Sequence, residues 1–152
     1  MGTDTNLGDA GERLRMRSHE RRIEGQHARL DEFAHDVYEA LDKEGIAAAL
    51  DDFQLYETAL EAHMSLEEDV TFPRLHGLRP DLGERLTTLI REHDRLREEV
   101  EGIKAQLGKG DRSGARFALE AFARRLDRHE ASEEELMARV GEGPMVAVDP
   151  TS

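Results

Sequence analysis

His63-Met-Ser-Leu-Glu-Glu68 returns 66 residues later as His129-Glu-Ala-Ser-Glu-Glu134, and a single histidine precedes each at the same interval, His27 and His93. Each half of the chain therefore reads His, 35 residues, His-x-x-x-Glu. The agreement extends past these polar residues: Arg29-Leu30 recurs as Arg95-Leu96, Leu41 as Leu107, Leu60 as Leu126 and Glu68 as Glu134. A His and a Glu four residues apart share one face of an α-helix and can serve one centre. Two helix pairs, each carrying half of a metal site, account for the pattern.

The flanking sequence supplies those helices. Apolar residues recur at intervals of three and four in four long stretches, with no credible strand. The first is predicted from about Ser18, an N-cap residue, to Lys43, on the seam Ile23, His27, Leu30, Ala34, Val37 and Leu41. The second runs from about Ile46 to Phe72 on Phe53, Tyr56, Leu60, His63, Glu67 and Val70, where Pro73 is expected to stop it and begin a loop to Pro80. The third covers about Asp81 to Leu107 and the fourth Ser113 to Val140, closed by Gly141, Gly143 and Pro144. The expected class is all-α, an antiparallel up-down-up-down four-helix bundle over residues 18–140, with a flexible segment 1–17 and a tail 141–152.

The spacing tests that arrangement. In an antiparallel pair, facing residues lie equally far from the turn, so His27 opposite His63 requires a turn near Gly45. His93 opposite His129 requires one at Asp111, within the Gly108 to Asp111 break, and the pairing of the middle helices requires one beside Pro80. All three turns fall on helix-breaking residues, which places His27, His63, Glu67, His93, His129 and Glu133 at one level.

Composition narrows the chemistry. A chain of 152 residues is long enough for one continuous core. Its formal net charge of -13 argues against a phosphate backbone or an anionic membrane as partner, so neither nucleic acid nor membrane is expected. Without cysteine there is no disulfide, iron-sulfur cluster or thiol catalysis, which leaves histidines and carboxylates as metal ligands. No apolar signal segment opens the chain and no long apolar run crosses it, so a soluble, cytoplasmic protein is expected.

Taken singly, a core histidine is most often a packing residue and a His-x-x-x-Glu a helix-surface pair. Here six such residues occupy seam positions otherwise held by Leu, Val, Ile and Ala. Unpaired, each would cost roughly 1 to 3 kcal/mol there, a penalty that metal ligation removes. Mixed nitrogen and oxygen donors suit a dinuclear iron centre, with manganese as the alternative, better than Mg or Ca.

With these motifs in this order, and Phe72-Pro73 after the first, the chain resembles the hemerythrin-like family, the HHE cation-binding domain, over about residues 20 to 140. The resemblance implies two iron ions with an oxo or hydroxo bridge and reactivity toward O2, NO or hydrogen peroxide. It assigns His27 and His63 to one iron, His93 and His129 to the other, and Glu67 and Glu133 as bridges. The chain departs from oxygen-carrying members in two places. Arg97 stands where they have a second histidine on the third helix, and Glu133 and Glu134 stand where they have an aspartate five residues after the last histidine. Glu133 is favoured by symmetry with Glu67.

The missing histidine implies a more open centre, suited to peroxide or NO detoxification, as in a catalase-like activity, rather than O2 carriage. The second reading is an iron- or oxygen-sensing module acting through a protein partner whose identity the sequence does not give. Tyr56, one heptad before His63, is the candidate catalytic residue, as phenolate ligand or hydrogen-bond donor, set against a purely packing role like that of Phe122. Arg97 is expected to pair with Glu67, Glu133 or Glu134; Met64 and Met137 are expected to fill the core, and His19, His35 and His76 to be solvated.

Overall fold

The first helix of the computed structural model begins well before the Ser18 cap expected from sequence, in a stretch that holds no proline and whose segment Glu12 to Arg17 favours helix. The structure describes residues 4–142. Residues 1–3 and 143–152, which include Gly143 and Pro144 of the expected tail, lie outside the described residues. Helix α1 spans Asp4–Glu39 and ends in a π-helical turn, Ala40–Glu44. Helix α2 covers Ile46–Leu66, followed by a π-helical turn at Glu67–Thr71, a short α3 at Phe72–Leu78 and a 3₁₀ turn at Pro80–Leu82. Helices α4, Gly83–Gly108, and α5, Arg112–Val140, complete the chain. Among the described residues there is no strand, and no helix is long and apolar enough to cross a membrane.

The π turn at Glu67–Thr71 corrects two expectations. A π turn spends one extra residue, so the helix face rotates after it. Val70, placed on the inner seam by a continuous 3.6-residue period, is half exposed at 51 %, while Thr71, Phe72, Leu75 and Leu78 turn inward. Pro73 does not end the helix. It falls in the first turn of α3, where its missing N–H removes no internal hydrogen bond, so the expected loop to Pro80 is mostly helical.

Helix α1 packs on α2 and α5, and α4 packs on α5 and α2. The buried apolar residues form two clusters. One holds Leu30, Val37, Phe53, Tyr56, Leu60, Ile103, Leu119 and Phe122 among others; the second holds Ile23, Phe72, Leu75, Leu86, Leu89, Leu136 and Val140. Between them along each long helix comes a buried polar position: His27 on α1, Glu67 after α2, His93 on α4, and His129 with Glu133 on α5. The fold thus stacks a polar layer between two apolar ones.

The turns fall where the spacing of the histidines requires. Gly45 breaks α1 from α2 at φ 116°, ψ 177°, a conformation in essence restricted to glycine. Asp111 caps α5 by accepting the Gly114 N–H at 3.0 Å, and Gly110 before it sits at φ 75°. Gly45→Ala is expected to lower stability by about 1 to 3 kcal/mol in urea unfolding. Gly110→Asn should cost less, since asparagine tolerates the left-handed region that Gly110 occupies. Equal losses at both positions would contradict this account of the turns.

Candidate metal centre

Glu133 enters the polar layer from α5 with its side chain 1 % exposed, and its two oxygens divide the histidines between them. Oε2 lies 3.0 Å from His27 Nε2 and 3.8 Å from His63 Nε2. Oε1 lies 3.4 Å from His93 Nε2 and 2.5 Å from His129 Nε2. Glu67 faces it from the π turn, its Oε1 3.2 Å from both His63 Nε2 and His93 Nε2. The imidazoles come in two pairs, His27 with His63 at 5.1 Å between ring centres and His93 with His129 at 4.8 Å. All six residues singled out from the sequence therefore meet in one buried cluster.

Donor atoms close enough to hold an ion fall into two groups that share Glu133: His27, His63 and Glu133, then Glu67, His93, His129 and Glu133. Hydrogen bonding within the protein satisfies only part of them, such as His27 Nε2 on Glu133 Oε2. Both Glu67 oxygens and His129 Nε2 are buried without a hydrogen-bond partner, although nitrogens lie 3.2 Å from Glu67 Oε1 and an oxygen lies 2.5 Å from His129 Nε2. Such close, misaligned contacts suit donors converging on a cation better than donors bonding one another. Nitrogen from imidazole and oxygen from carboxylate is also the mixed set that redox-active transition metals favour. The residues fit bound metal.

Behind each histidine stands a second polar group. His63 Nδ1 donates to Gln26 Oε1 at 2.6 Å, His129 Nδ1 to Glu92 Oε2 at 2.5 Å and His27 Nδ1 to Glu134 Oε1 at 3.3 Å. His93 Nδ1 faces Glu68 Oε2 at 3.6 Å. A proton held on Nδ1 leaves the Nε2 lone pair directed inward, and the partner fixes the ring. Gln26 and Glu92 were not identified from sequence. Their signal is there, since each immediately precedes the first histidine of its half. Glu134, the competitor of Glu133, is the outer partner of His27.

Arg97 does not reach Glu67, Glu133 or Glu134. It grips Glu68 with two nitrogens at 2.5 and 3.1 Å and Glu61 at 2.9 Å, bracing the carboxylate behind His93 and holding it below the usual carboxylate range. Tyr56 is buried between Phe53 and Phe122, each 6.1 Å away between ring centres. Burial, reinforced by Glu130 and Asp31, raises its pKa and keeps the phenol protonated. Met64 and Met137 are buried, His35 and His76 exposed, and His19 half-buried rather than solvated.

Without metal, the histidines act as bases for the two carboxylates. Burial opposes the charge of His63, but Glu133 and Glu67 outweigh it and push the pKa up to about 10; the same balance brings His93 to about 9. Burial likewise works against ionised Glu133, yet His129 and the other three hold it well below its ordinary value. Raised histidines contribute stability fully below their unfolded value of 6.5, and that contribution is lost as pH climbs through 9 to 10. The Glu133 contribution is present above its ordinary value of 4.5 and lost only in acid. Bound metal replaces those protons, so its hold tightens as pH rises. The Tm of metal-free protein, followed by circular dichroism, should therefore fall on the alkaline side while that of loaded protein does not. A metal-free Tm that rises through the same range would contradict this electrostatic picture.

No curated protein and no solved structure matches the chain. The family model of the Hemerythrin HHE cation binding domain matches residues 19–140, which contain the whole buried His/Glu cluster. The chain belongs to the hemerythrin HHE cation-binding domain family.

Proposed function

We propose that this is a non-haem diiron protein that reacts with O2, NO or hydrogen peroxide, with peroxide or NO detoxification favoured over O2 carriage. The observation that carries the reading is the division of four histidines into two pairs by the two oxygens of Glu133. His27 and His63 would hold one iron, His93 and His129 the other, with Glu133 and Glu67 between them. When bound, iron supplies redox equivalents and open coordination positions for small ligands. The bundle is read as antiparallel up-down-up-down. In support, α1 and α4 run from the second apolar cluster toward the first, and α2 and α5 run the other way.

The rest of the chemistry belongs to the chain. Glu134, Gln26, Glu68 and Glu92 orient the imidazoles. Arg97, in place of a further histidine, supplies no nitrogen to the centre, because its guanidinium stays protonated and paired. That leaves room for an exogenous ligand. An apolar groove of about 480 Å³ between α1 and α2, lined by Leu30, Phe33, Leu55, Ala59 and Leu66, has His63 in its wall, which suits small uncharged ligands. Tyr56 offers a neutral phenol one heptad from His63.

Anaerobic iron loading, metal analysis and addition of peroxide, O2 or NO provide the test. Two irons per chain, a visible absorption change and peroxide turnover are expected. Zinc in place of iron, or iron that gives neither optical change nor turnover, would overturn the reading. Glu92→Ala, which removes a charged partner behind His129, should weaken iron retention by about 10- to 100-fold, while Gln26→Ala, which removes a neutral one, should cost less.

A further inference from the structure

The internal repeat continues into the residues around the centre, and there its two halves differ in charge. In one half, the Arg97 guanidinium lies between Glu61 and Glu68. The same 66-residue offset takes Glu61 to Asp127 and Glu68 to Glu134, so both acidic positions are kept. It takes Arg97 to Asp31, and Met64 to Glu130. Where one half carries its own cation, the other adds two carboxylates.

Three of these four acids converge. Oxygens of Asp31, Asp127 and Glu130 all lie within 4.8 Å of one another, Asp31 coming from α1 and the other two from α5. Asp31 and Asp127 are exposed, but Glu130 is only 8 % exposed and its Oε1 is buried with no hydrogen-bond partner. Among the described residues, no lysine or arginine forms an ion pair with any of the three. A buried, unpartnered carboxylate oxygen beside two further carboxylates calls for a positive group, and the charge that acts on Asp31 and Glu130 from within the protein is that of His27, which the four-histidine cluster already engages.

We propose that Asp31, Asp127 and Glu130 bind a hard divalent cation, seated where the other half of the repeat holds the Arg97 guanidinium. The donors are oxygen alone, and the two exposed aspartates leave water to complete the shell, which selects Mg, Ca or Mn over a thiolate- or imidazole-seeking metal. The site shares no donor with the four-histidine cluster, although Asp31 and Glu130 feel the charge of His27.

Full-length protein, iron-loaded and desalted, would be titrated with Mn2+ while free Mn2+ is followed by its electron paramagnetic resonance signal. A single Mn2+ per chain should bind, displaceable by Mg2+ or Ca2+. Asp127→Asn, a change at an exposed position, should weaken it at least about tenfold. Asp31→Arg, which copies the other half, should abolish it with iron content and helicity unchanged. Absence of Mn2+ binding by the wild-type chain, or binding undiminished in both variants, would overturn the proposal. If Asp31→Arg fails to fold, Asp127→Asn decides alone. If the chain takes up no iron but loses Mn2+ binding on Asp127→Asn, the acidic site stands and the diiron reading fails.

Discussion

Two carboxylates held among four imidazoles, with apolar clusters on both sides, set the terms for the rest of this structure. A leucine in the same place would contribute roughly 1.5 to 3 kcal/mol by burial alone. Buried ionic groups gain little over such a residue, and losing one partner leaves the other charge stranded at a cost of about 3 to 5 kcal/mol. The layer is thus an expensive choice for a core unless a further positive charge is bound in it. This is why the unsatisfied oxygens of Glu67 matter more than the number of histidines. Metal bound there would be part of the folding equilibrium rather than an addition to a finished scaffold.

The outer partners extend that constraint toward the surface. Three imidazoles have an Nδ1 hydrogen-bond partner and the fourth, His93, faces a carboxylate at 3.6 Å, and the chain draws all four groups from residues adjacent in sequence to the inner ones: Gln26 before His27, Glu92 before His93, Glu68 after Glu67 and Glu134 after Glu133. Neighbouring residues on a helix project about 100° apart, so an inner donor and an outer acceptor for the opposite helix follow from one short segment. The pattern also makes the acidic composition intelligible, because part of it backs the imidazoles.

The inner six residues and three of the turns were legible because both depend on periodicity and on helix-breaking residues. Gly45, the Gly108 to Asp111 break and Pro80 all interrupt α-helix in the structure. What escaped was whatever breaks the period. The π turn at Glu67–Thr71 rotates Val70 outward and carries the helix through Pro73, and no residue type announces such an insertion. Arg97 was recognised as no ligand, yet its partners were misassigned, because a long side chain reaches across helices in directions that seam counting does not specify. Glu130 escaped because it stands off the 3.6-residue seam while still being enclosed.

The π turn also bears on how alike the two halves can be. By rotating the chain after Glu67 it brings Phe72 flat against His93, with ring centres 5.8 Å apart and planes 18° from parallel. The corresponding residue in the second half is Ala138, whose methyl group presents no such face. His93 is wedged on one side by an aromatic plate, and His27 has no equivalent. The repeat therefore matches the ligands of the two halves but not what packs beside them: one imidazole rests on an aromatic plate, while His27 is instead tied through both ring nitrogens to carboxylates.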